Sequence, residues 1–86
     1  MREIDVTTKQ LSIEITPNEE IKVTSCNAIQ NCSRTYVLFS FEPFSDTNLG
    51  ASLAFDGMLT MPIGETTIYL KAAKQWTHIE AFGVSL

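Results

Sequence analysis

An all-β fold is what the sequence predicts: a small antiparallel β-sandwich or barrel of about seven to eight short strands. Three observations carry this. Apolar and polar residues alternate with period two over several runs, turn-forming residues separate those runs, and no helical stretch of ordinary length occurs. At 86 residues the chain makes one domain, spanning 1–86. A chain this short buries roughly 60–65% of its unfolded surface, so a partner, a metal or a disulfide often adds to its stability.

Taken in order, Ile4 and Val6 alternate with Glu3, Asp5 and Thr7, so residues 2–7 read as a first strand. That strand has two destinations, a place within its own sheet or a neighbouring subunit. Thr8-Lys9 turns the chain. Leu11, Ile13 and Ile15 then alternate with Ser12, Glu14 and Thr16, the clearest period-two signal present. Pro17-Asn18 stops this second strand. Ile21 and Val23 restart the alternation, which continues less regularly through Cys26, Ala28 and Ile29. Asn31-Cys32-Ser33 reads as a turn, because Asn and Ser bond locally to backbone. Thr35 to Phe41 is β-branched and aromatic, with apolar residues on both faces, as in a central or sandwiched strand.

Glu42 to Gly50 is the longest irregular piece, rich in Pro43, Ser45, Asp46 and Asn48. Phe44 and Leu49 within it either tuck back under the loop or face a partner. Residues 51–55 and 58–62 read as short strands joined by Asp56-Gly57, a dipeptide suited to a type I′ hairpin. After Pro62-Ile-Gly64, Thr66 to Val84 reads as two antiparallel strands closing a small sheet around Lys74-Gln-Trp76.

Charge and composition exclude several function classes. The net charge is −4, with only six Lys and Arg. Such a chain is poorly suited to nucleic-acid phosphates and is repelled by anionic membrane surfaces. Its apolar runs fall far short of a membrane span. The N-terminal residues alternate instead of forming an apolar core behind positive charge, so the chain reads as one made in the cytoplasm. Cys26 and Cys32 fit no common zinc spacing, and the one histidine, His78, lies far along the chain. The pair reads as two reduced thiols, or as a loop-closing disulfide in a protein that matures outside cells.

The residues offer little catalytic chemistry. His78 and Glu80 lie two apart on one strand and so share a face, which suits a hydrogen-bonded pair or an ordinary exposed surface. No nucleophile elbow, phosphate-binding glycine loop or cofactor motif is present. Asp46-Thr-Asn48 begins like a calcium loop but lacks the glycine and terminal glutamate. Catalytic, cofactor and metal residues are therefore expected to be none. The candidate interface residues are Phe44, Leu49, Trp76 and Arg34. Trp76 at a predicted turn either packs over a sandwich end or anchors a contact, as tryptophan commonly does.

Ile29-Gln-Asn-Cys-Ser33 is similar to an Ile-Gln-Asn-x-Ser turn of small tailed-bacteriophage virion proteins. There it precedes a strand like Tyr36-Val-Leu-Phe-Ser-Phe41, a segment like Gly50-Ala-Ser-Leu53, and a strand like Ile68-Tyr-Leu-Lys-Ala-Ala73. Lys74-Gln-Trp76 stands where that family has a glycine-containing turn. The resemblance implies a non-enzymatic β-sandwich building block of the virion, a capsid decoration or cement subunit or a head-tail joining protein. Its partners would be the major capsid protein or other virion proteins, with assembly as a homo-oligomer such as a trimer. Two other readings stand beside it: a phage-encoded small binding protein or inhibitor of a host protein, and a carbohydrate-binding sandwich using Trp76 and Tyr69 on one exposed face.

Overall fold

The computed structural model describes residues 1–84, which form nine strands and no helix. They are β1 (Arg2–Asp5), β2 (Gln10–Ile15), β3 (Glu20–Thr24), β4 (Cys26–Asn31), β5 (Val37–Ser40), β6 (Ala51–Leu53), β7 (Met58–Thr60), β8 (Ile68–Lys71) and β9 (Thr77–Gly83). The first sheet has the order β1-β3-β8-β5-β6 and the second β2-β9-β4-β7. All pairings are antiparallel except β1 with β3, which is parallel. The first strand therefore lies in its own chain's sheet.

The alternation read from sequence sets the two inner faces. Ile13 and Ile15 on β2, Ile21 and Val23 on β3, and Ile68 and Leu70 on β8 point inward and are buried. Cys26, Ile29, Val37, Ile79 and Ala81 join the layer between the sheets, with Val6, Met61 and Ala72 at its ends. Burying each large aliphatic side chain stabilises the fold by about 1.5–3 kcal/mol relative to leaving it in water.

Every connection except β5–β6 crosses from one sheet to the other. This corrects two expectations. Residues 51–55 and 58–62 are not a hairpin: β6 pairs with β5 and β7 with β4. A type I′ turn needs two consecutive left-handed residues, and here only Asp56 is left-handed (φ 62°). The last two strands are likewise not neighbours, since β8 pairs with β3 and β5 while β9 pairs with β2 and β4. Between them Ala72 is buried in the core. Its N–H donates to Glu19 O at 3.2 Å and its carbonyl accepts from Asn18 N at 2.8 Å, tying this crossing to the β2–β3 turn. The run expected to extend through residues 20–29 is also two strands, broken at Ser25 (φ 56°), which brings the count to nine.

Left-handed residues mark the corners. Thr8, Asn18, Ser25, Asp56 and Gly64 occupy the crossings β1–β2, β2–β3, β3–β4, β6–β7 and β7–β8 respectively. Gly83 answers a different need. A Cβ there would overlap the Val6 carbonyl oxygen, so only glycine permits β9 to pass this close to the β1–β2 corner.

The registers place Met1 at one pole of the sandwich, with the crossings at 16–19, 32–36, 54–57 and 72–76. Val84 lies at the opposite pole, beside the crossings at 6–9, Ser25 and 61–67.

Candidate functional site

The Met1 pole is organised by one buried side chain. Asn31 ends β4 facing inward, fully shielded from solvent. Its amide nitrogen donates to Thr35 O at 2.7 Å and Leu53 O at 2.9 Å. Its amide oxygen accepts the Ser33 N–H at 3.0 Å and the Ser33 hydroxyl at 2.5 Å. Asn31 N also donates to Gly57 O, and Asp56 N donates to Asn31 O. One residue thus shapes the β4–β5 crossing and fixes the end of β6 and the β6–β7 corner. The Asn-x-Ser turn read from sequence is this local bonding pattern.

Three crossings at that pole each present an aromatic side chain to solvent. Tyr36 is 41% exposed, Phe55 60% and Trp76 61%. Met1 and Met58 are exposed nearby in the fold. Trp76 precedes the inward-facing Thr77 and lies against the outer face of the second sheet. There it lines an open groove of about 310 Å³ with Glu14, Ser33, Thr77 and His78.

The candidate residues are thereby sorted. Trp76 is exposed at the groove, and Arg34 is exposed in the neighbouring crossing, beside Ser33. Phe44 and Leu49 lie elsewhere, on the β5–β6 loop, which folds over the outer face of the first sheet. Phe44 is half-buried: its N–H donates to Glu20 Oε1 at 3.2 Å and its ring packs beside Gly50. Leu49 is 73% exposed. Together with Glu20, Leu38 and Lys71 they line a second hollow of about 580 Å³. Phe44 therefore tucks back, while Leu49 faces outward. Phe55 escaped sequence reading because the alternation of 51–55 absorbed it into a strand.

The Asp46-Thr-Asn48 loop is held by its own bonds. The Asn48 amide nitrogen donates to Ser40 Oγ, Glu42 O and Pro43 O, and its oxygen accepts from Gly50 N. Among the described residues no group of three or more His, Cys, Asp or Glu side chains is placed to hold a metal ion.

His78 and Glu80 do share the outer face of β9. Their closest atoms, Nε2 and Oε1, stand 3.7 Å apart, beyond hydrogen-bond length. Glu80 Oε1 instead accepts the Ser12 hydroxyl at 2.5 Å from the facing strand. The Ser12 hydroxyl is thus engaged by Glu80, and that of Ser33, in the same groove as His78, by Asn31.

Both cysteines are free, Cys26 buried and Cys32 exposed. Cys26 opens β4 and Cys32 directly follows its end, about 20 Å away along the extended chain. A disulfide needs Cα atoms within about 7 Å, so the loop-closing bridge is excluded within the chain. Burial pushes the Cys26 thiol up to about 11.

Tyr69 projects from the outer face of the first sheet, with the Lys22 ammonium 5.9 Å from its ring centre. Trp76 lies against the other sheet, so the two rings form no common platform for a sugar. Compared with known proteins, the chain matches no family model, no curated protein and no solved structure.

Proposed function

We propose that the protein is a non-enzymatic virion building block, a capsid decoration or cement subunit acting through protein–protein contact. The observation that carries this reading is the Met1 pole, where Tyr36, Phe55 and Trp76 are exposed on three crossings. Exposed aromatics are common anchors of protein interfaces, and an aromatic ring loses little side-chain entropy on binding. The resemblance of the Ile29–Ser33 turn and the strands after it supplies the class of partner, the major capsid protein or another virion protein. The net charge of −4 suits an outer shell surface better than a DNA-facing one. Association as a homo-oligomer, such as a trimer, belongs to the same reading.

The test is add-back to capsids assembled without this chain. The purified protein is expected to cosediment with them and to raise the temperature at which they rupture. Replacing Tyr36, Phe55 and Trp76 together by Ser is expected to abolish cosedimentation while strand content is retained. A chain that sediments as a monomer and leaves capsids unbound and unprotected would overturn the proposal.

A further inference from the structure

We propose that the groove between Trp76 and Glu14 receives a cationic side chain, an arginine before a lysine, presented by the protein partner. This rests on the reading of the chain as a contact module and specifies the chemistry at one point of contact.

The groove combines an apolar wall with unmatched negative charge. Trp76 offers an exposed indole, the best aromatic surface for a cation. The other lining groups divide into engaged and open ones. Ser33 Oγ is bonded to Asn31 Oδ1, and Thr77 Oγ1 donates to Gln75 O at 3.2 Å. The Glu14 carboxylate is exposed and has no ion-pair partner among the described residues; only its backbone carbonyl is occupied, by Arg2 at 2.6 Å. Glu80 stands behind His78 on the same face. Among the described residues no Lys or Arg lines the groove. Arg34 and Lys74 flank it in sequence, and Arg2 is held by Glu14 O and Glu19. A planar guanidinium satisfies both features at once, stacking on the indole while pairing in fork geometry with the carboxylate. A lysine ammonium gains the charge term without the stacking.

Trp76 is the only tryptophan in the chain, so tryptophan emission, excited beyond the tyrosine band, reports on this site alone. The probe is acetyl-arginine amide and a tri-arginine peptide, with citrulline and lysine counterparts, at pH 8 and low salt. Saturable change in emission is expected with arginine, a weaker response with lysine and none with citrulline. Glu14→Gln is expected to weaken arginine binding about three- to tenfold with an unchanged urea midpoint. Glu65→Gln, at the opposite pole, is expected to leave binding unchanged. Raising salt to 0.5 M is expected to weaken it. Equal responses to arginine and citrulline, no saturable response, or saturation by a neutral oligosaccharide instead would each overturn the proposal. Capsid cosedimentation separates the two readings. A chain that binds capsids but not arginine sinks the groove, whereas one that binds arginine but not capsids sinks the decoration role.

Discussion

Asn31 shows how much one polar side chain can settle in a small domain. Its amide serves four groups on the β4–β5 crossing and β6. Asn31→Ala takes the amide donor from Leu53 O and the closer of two donors from Thr35 O, which keeps the Ser33 hydroxyl at 3.3 Å, and an unpaired buried group costs about 1–3 kcal/mol. The expected loss is about 3 kcal/mol, read as a shifted midpoint in urea unfolding. That is a large share of the roughly 5–10 kcal/mol a domain this size has. The cysteines give a second expectation. At pH 8 a thiol reagent should label Cys32 quickly and Cys26 only after denaturant is added. The Cys26 thiol, at about 11, stays protonated where the unfolded chain ionises. Stability therefore falls as pH rises from about 8.5 toward 11, because there the unfolded state binds fewer protons. Mass spectrometry of the labelled protein and a Cys26→Ala control check both points. At this scale sequence reading recognised the Asn-x-Ser turn and chose Trp76. It could not separate Phe44 from Leu49, since only the packing of Phe44 against Gly50 shows which one turns inward.

Nearly all of the strands are legible in the sequence itself. Residues 11–16 were read where β2 runs from Gln10 to Ile15, and the final strand matches β9. Alternation reports which face of a strand is apolar but not which sheet the strand joins. Consecutive strands with a turn between them look the same whether they pair or face each other across a core. The two supposed hairpins at 51–62 and 66–84 failed for that reason. The corners provide a test of the crossing geometry. Asn18 and Asp56 hold left-handed backbone (φ 65° and 62°), where Asn and Asp are tolerated better than Ala. Asn18→Ala and Asp56→Ala should each cost about 1 kcal/mol, whereas Gly at either site should cost almost nothing. Asp46→Ala, in the β5–β6 loop, should stay within about 0.5 kcal/mol. Thermal unfolding of the five variants decides the matter.

Across the whole molecule, nearly every pairing joins strands distant in sequence, because the chain passes back and forth between sheets. Loop closure then precedes most of the native contacts, which places folding in the millisecond-to-second range of β-sandwiches. Stopped-flow refolding followed by Trp76 emission should give a relaxation on that timescale, and a microsecond phase carrying the full amplitude would contradict it. The polar placement of Met1 and Val84 has a mechanical consequence. Tension applied between them runs along β1 and β9, parallel to the strands, and so shears whole ladders at once instead of unzipping them bond by bond. A subunit stretched along this line would resist as a tie rod does, whereas the same force applied across the β6 and β7 edges would peel those short strands away singly.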